Sequence, residues 1–162
     1  MKATVLVDNI GTEELPGEWG LSFFIEYRGV KVLLDAGADG LFAENARRLG
    51  LALDEVDHAV LSHAHYDHAD GMADFLAQNT KAKLYLRESC GENCYKKEAD
   101  SWKYIGIREG LLGQYRDRLV RVSGDLELEE GMWLVGHKTP GLEEAGKRER
   151  MYLRENDTCT VD

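Results

Sequence analysis

The chain has 162 residues, 43% of them hydrophobic and 31% charged, with a mean hydropathy of −0.42. That is enough apolar material for one core and too much for wholesale disorder. A formal charge of −10, from 30 acidic and 20 basic residues, repels phosphate backbones and anionic bilayers and so argues against nucleic acid or a membrane surface as partner. The apolar start is too short for a signal segment and no run approaches bilayer length. Cys90, Cys94 and Cys159 are an odd set with no disulfide framework, so a single soluble cytoplasmic domain is the expectation.

In chain order, Thr4 to Val7, Leu21 to Tyr27 and Val30 to Leu34 are short β-branched or aromatic runs punctuated by glycine, which predicts a meander with Arg28-Gly29 at a hairpin tip. Asp39 to Leu49 changes period: Leu41, Phe42, Asn45, Ala46 and Leu49 fall near helical spacing, with Gly50 as the stop. Val56 to Leu61 is the next predicted strand, Gly71 to Gln78 the next helix, and Lys83 to Leu86 a strand again. The pattern weakens from Glu88 to Gln114, where Trp102, Tyr104, Ile105 and Ile107 alternate enough for one strand. Cys90 and Cys94 in this stretch read as two ordinary loop residues rather than half of a thiolate site. Leu119 to Val122, Leu126 to Leu128 and Met132 to Val135 predict a second meander turning at Glu130-Gly131. Glu143 to Arg150 is a solvated charge run or a frayed helix, and the chain is expected to stop after it with no closing strand or helix.

The chemistry is concentrated in His63-Ala64-His65-Tyr66-Asp67-His68, which holds three of the five histidines and a carboxylate. Imidazole nitrogen and carboxylate oxygen suit zinc, with manganese or iron possible on the same donors. Positions i, i+2, i+4 and i+5 share no helical face, so the cluster is expected to be an irregular loop wrapped around one or two ions at a strand's C-terminal end. His63 and His65 would hold one ion. Asp67 and His68 would face a second or support the first from outside, and Asp67 would also orient or deprotonate the attacking water. Asp35, at the end of Leu33-Leu34-Asp35, suits a hydrogen-bond acceptor for a ligating imidazole, equally with a plain turn residue. Tyr66 is a proton donor or packs against the loop.

Beyond the cluster only His58 and His137 remain. His58 reads as structural, whereas His137, in the loop after Val135, stands evenly between a further ligand and a residue that touches nothing. No bridging carboxylate can be singled out.

The run His63 to His68 matches the His-x-His-x-Asp-His signature of the metallo-β-lactamase superfamily, and Asp35-Ala36-Gly37 resembles that family's upstream Asp-x-Gly turn. Within the superfamily, Thr4 to Asn9 and Gly17 to Phe23 resemble the dihydropterin ribofuranosylaminobenzene-phosphate synthase-like branch. The resemblance implies an αββα sandwich with metal at its edge and a hydrolase in which a metal-bound hydroxide attacks a phosphoester or another small-molecule ester or amide. It implies further ligands from a second half not found here, and Leu142 stands where relatives often place a histidine after Pro-Gly. A truncated or split member is therefore expected, whose open sheet face invites homodimerisation. The alternatives are a catalytically incomplete, dimerising metal-binding remnant and a diiron protein that reacts with oxygen.

Overall fold

The structure, a computed structural model, describes residues 1–136, 140–155 and 158–161. Strands β1 (Lys2–Val7), β2 (Ser22–Tyr27) and β3 (Val30–Leu34) form an antiparallel meander, with Arg28 and Gly29 both at positive φ in the tip. Positive φ at both central residues suits the right-handed twist of a two-residue hairpin. Helix α1 (Leu41–Arg48) follows, buries Phe42, Asn45 and Ala46, and ends before Gly50, whose φ of 70° stops it.

The predicted strand at 56–61 is shorter, β4 (His58–Val60), because a 3₁₀ turn at Leu53–Glu55 occupies the approach. The cluster is only half a loop: residues 63–65 are irregular, and α2 (Tyr66–Ala69) places Asp67 and His68 on one helical turn. Helix α3 (Met72–Gln78) and β5 (Lys83–Arg87) complete two parallel crossovers.

The weak stretch resolves into β6 (Cys94–Lys97), β7 (Trp102–Tyr104) and α4 (Leu111–Gln114). The expected second meander is corrected. Strand β8 (Leu119–Val122) pairs parallel with β5 in the first sheet, and only β9 (Leu126–Glu129) and β10 (Met132–Leu134) form a hairpin. Local alternation cannot distinguish these outcomes, since pairing partners are chosen by tertiary contact. Of the two expectations for Glu143 to Arg150 the helix is found, as α5 (Leu142–Glu149), whereas the expected absence of a closing strand is corrected: β11 (Met151–Glu155) and β12 (Thr158–Val161) join β6 and β7 in a four-stranded sheet.

The main sheet has the order β1-β2-β3-β4-β5-β8. Register places Phe24, Leu33, Ala59 and Leu84 in one cross-strand row, and that face is sealed by Phe42 and Ala46 of α1 and Met72, Phe75 and Leu76 of α3. The opposite face carries Val5, Phe23, Leu34, Val60 and Tyr85 in another row. The β9–β10 hairpin covers it only in part, leaving Val5 43% and Trp133 55% exposed. No helix among the described residues is long and apolar enough to cross a membrane.

Candidate metal centre

The cluster leaves the C-terminal end of β4, where parallel strands place ligands because the backbone ladder ends there. Its backbone is tied down from several sides. The Asp35 amide donates to Val60 O at 2.9 Å, the Ala36 amide to His68 O at 2.8 Å, and the Leu21 amide to Asp67 O at 3.3 Å. On the other flank the Tyr66 amide donates to Ile105 O at 2.9 Å and the Ile107 amide to Ala64 O at 2.7 Å.

Two glycines make this closeness possible. Gly20, at φ 143°, lies so near Asp67 O that an added Cβ would collide with it, and Gly71 lies equally close to Ala36 O. Asn9 Oδ1 accepts the Gly20 amide at 2.9 Å, and Glu18 Oε1 accepts the Ala38 amide at 3.0 Å. The segment before β2 is thereby fixed against the site.

The three imidazoles gather. His63 and His68 have ring centroids 4.2 Å apart, and His63 and His65 4.7 Å. Asp35, 1% exposed and at φ 55°, accepts the Ser62 amide at 2.7 Å, the Ser62 hydroxyl at 2.6 Å and Nδ1 of His68 at 2.7 Å. A left-handed conformation in a buried aspartate is a local strain that its hydrogen bonds hold in place.

These bonds fix the tautomers. The one proton of the Ser62 hydroxyl is committed to Asp35, so Ser62 Oγ accepts from Nδ1 of His63, 2.9 Å away. Both His63 and His68 therefore carry hydrogen on Nδ1, and in the neutral rings Nε2 is left with a free lone pair. That is the state a metal ligand needs, with the other nitrogen held by an outer partner.

The charges agree with this arrangement for His63, whose pKa is lowered to about 4 by burial and then by His68 and His65. It is neutral at ordinary pH. His68 is the opposite case: burial works against its charge, but the Asp35 hydrogen bond and charge outweigh burial and raise its pKa. A cation at Nε2 would take the place of that proton.

The donor types and free nitrogens fit zinc or a neighbouring first-row ion. The shell is not closed, however. Among the described residues no group of three or more His, Cys, Asp or Glu side chains is disposed to hold an ion by itself. His63 and His65 meet edge to face at 82°.

His58 is structural, its Nε2 2.8 Å from Glu129 Oε1 on the hairpin. His137 lies outside the described residues. Cys90 and Cys94 are not joined by a disulfide, and Cys94 is buried in β6. Ser62, Glu18 and Gly20 were not singled out from the sequence. Ser62 had only its place beside His63, and Glu18 and Gly20 only theirs in the run Gly17 to Phe23, because a lone hydroxyl, acid or glycine has no periodicity to mark it.

The metallo-beta-lactamase superfamily model, Lactamase_B, matches residues 17–144. The chain belongs to this superfamily. A curated relative, Uncharacterized protein MJ0448 of Methanocaldococcus jannaschii, is 31% identical over 127 residues, 78% of this chain and 46% of its own. Among solved structures, Tm1679, described as a metal-dependent hydrolase of the beta-lactamase superfamily, superposes with a TM-score of 0.71 at 23% identity. That match covers 99% of this chain and 56% of the other. Rm3 metallo-beta-lactamase gives a TM-score of 0.54 at 18% identity, over 90% of this chain and 55% of its own. These two likenesses concern the fold, a mixed α/β metallo-β-lactamase sandwich, and the chain spans about half the length of the relatives it matches.

Proposed function

We propose that the chain is a metal-dependent hydrolase acting on a phosphoester or another small-molecule ester or amide. The observation that carries this reading is the pair of imidazoles, His63 and His68, each held at Nδ1 and each presenting Nε2, beside His65 and Asp67. His63, His65, Asp67 and His68 would hold zinc, with manganese or iron as the other ions these donors accept. One or two bound ions supply Lewis acidity and an acidified water. Asp67 would orient the attacking water or take its proton. Asp35 and Ser62 keep the two imidazoles in the ligating tautomer, and the hydrogen bonds from Ala36 and Leu21 keep α2 from drifting.

The dihydropterin ribofuranosylaminobenzene-phosphate synthase-like branch is the finer reading, supported by Asn9, Glu18 and Gly20. These three fall in the runs that resemble it, and they brace the metal loop. A cytoplasmic setting belongs to the same reading, supported by the odd set Cys90, Cys94 and Cys159, whose spacing offers no disulfide framework.

A second reading rests on the unclosed donor set: a metal-binding remnant that is catalytically incomplete and associates as a homodimer through the half-covered sheet face. Hydrolysis of 4-nitrophenyl phosphate and 4-nitrophenyl acetate, with elemental analysis, decides between them. Turnover abolished by chelation and restored by zinc supports the enzyme. Stoichiometric metal without turnover supports the remnant, and turnover that survives thorough chelation removes the metal reading.

A further inference from the structure

Beside the cluster, on the side of β7, is an open groove of about 460 Å³. Its wall is stitched to the metal loop by the Tyr66–Ile105 and Ile107–Ala64 backbone bonds and by a bridge between His65 and Gly106. The backbone that carries the side chains of this wall is therefore placed as firmly as the loop itself. Tyr66, between His65 and Asp67, stands in the groove and is 39% exposed.

The groove holds two cations, Lys103 and Arg108, both exposed. Two acids share it. Asp70 is already engaged, since its Oδ1 accepts the Arg108 amide at 2.6 Å and burial raises its pKa. Glu109 is exposed on the rim. The Arg108 charge acts on Asp70 without an ion pair, and among the described residues neither Lys103 nor Arg108 forms one with any carboxylate. Tyr104 contributes a ring rather than a donor, because its hydroxyl donates to Ile107 O at 2.5 Å. Gly106 lets that ring lie flat on the backbone: a Cβ there would fall 2.6 Å from the Tyr104 oxygen.

Three donors thus remain for a ligand: the Arg108 fork, the Lys103 ammonium and the Tyr66 hydroxyl. In a chain of charge −10, an anionic substrate meets an unfavourable overall field and needs local cations to enter. A forked donor, a point charge and a phenol together can serve the three terminal oxygens of a tetrahedral group, more than a planar carboxylate presents.

We infer that this groove is the subsite for a phosphoryl group of the substrate, bound by Arg108 and Lys103 with the Tyr66 hydroxyl. The inference rests on the hydrolase reading for the word substrate, and on the groove alone for binding. Tyr104 and Gly106 form the floor for whatever the phosphoryl group carries. The substrate class is accordingly a small phosphorylated molecule.

The test is isothermal titration of the purified full chain with phenyl phosphate and with benzoate, with metal content measured in every sample. Phenyl phosphate is expected to bind more tightly than benzoate. Lys103→Gln and Arg108→Gln are each expected to weaken it about tenfold, and the double variant about a hundredfold, the scale of a lost charge-assisted contact. Metal content and thermal midpoint stay unchanged, since both side chains are exposed. Failure of phenyl phosphate to bind, binding by the double variant within twofold of the parent, or equal affinity for benzoate overturns the inference. Turnover of 4-nitrophenyl phosphate is read separately: no turnover with variant-sensitive binding removes hydrolysis and keeps the groove. Turnover with a KM indifferent to both substitutions keeps hydrolysis and removes the groove.

Discussion

Nδ1 of His68 donates to Oδ2 of Asp35 at 2.7 Å, and the same carboxyl oxygen takes the Ser62 hydroxyl at 2.6 Å. One buried acid therefore orients two imidazoles, His68 directly and His63 through Ser62. Asp35→Asn removes the charge and leaves the shape. Zinc affinity is expected to fall about 10- to 100-fold, as with other outer partners of ligating histidines. Competition against a chromophoric chelator measures it, and an unchanged affinity would mean that the acid serves the turn alone.

The same pair makes a titration prediction. Burial disfavours the His68 imidazolium, but Asp35 outweighs it and raises the pKa. In metal-free protein the ring nitrogens should titrate above the ordinary histidine value of about 6.5. In Asp35→Asn they should titrate below the parent's value. Long-range proton–nitrogen NMR spectra across pH report both.

His63 gives the opposite pH signature. Its folded pKa of about 4 lies below the reference of 6.5, so the unfolded chain takes up the proton first. The stability it contributes is complete above pH 6.5 and is lost as pH falls toward 4. Urea unfolding in the presence of chelator should show stability rising from pH 4 to 6.5 more steeply in the parent than in His63→Gln. Parallel curves would show that the ring is solvated in solution.

Asn79 separates stability from the site. It is fully buried, donates to Leu53 O at 3.0 Å and Val56 O at 2.9 Å, and accepts the amides of Lys81 and Ala82. Asn79→Ala strands several buried backbone groups, at a cost of about 3 kcal/mol. The urea midpoint should drop accordingly while zinc affinity in the folded protein stays at the parent's value.

Gly20→Ala acts on the site through the backbone. Its new methyl group would press on Asp67 O, and φ of 143° already disfavours a side chain. Metal affinity should fall together with stability, whereas Gly29→Ala, with open space at its Cβ, should lower stability alone. Paired metal titrations and thermal melts distinguish the two.

The strands and helices that pack with their own neighbours were readable in advance. The β2–β3 hairpin, the helix stopped by Gly50, and the apolar face of α3 each carry a periodicity or a turn signal within a few residues. What the reading missed depends on distant partners. β8 was placed in a meander but pairs with β5, and β11 was not foreseen because its partner, β6, lies more than fifty residues earlier, which leaves β12 without the strand it pairs with. His58 has its role from Glu129, seventy-one residues away.

The amino-acid order alone determined where the candidate metal donors are concentrated, because four of them packed between residues 63 and 68 are a local chemical fact that needs no fold to recognise. Only the tertiary structure decided which nitrogen His63 and His68 offer. The tautomers of His63 and His68 are set by their hydrogen bonds to Ser62 and Asp35, and Asp35 reaches Ser62 across twenty-seven residues of chain through the pairing of β3 with β4. The two cations beside the loop became neighbours of the site in the same way, through backbone bonds that no spacing in the sequence announces.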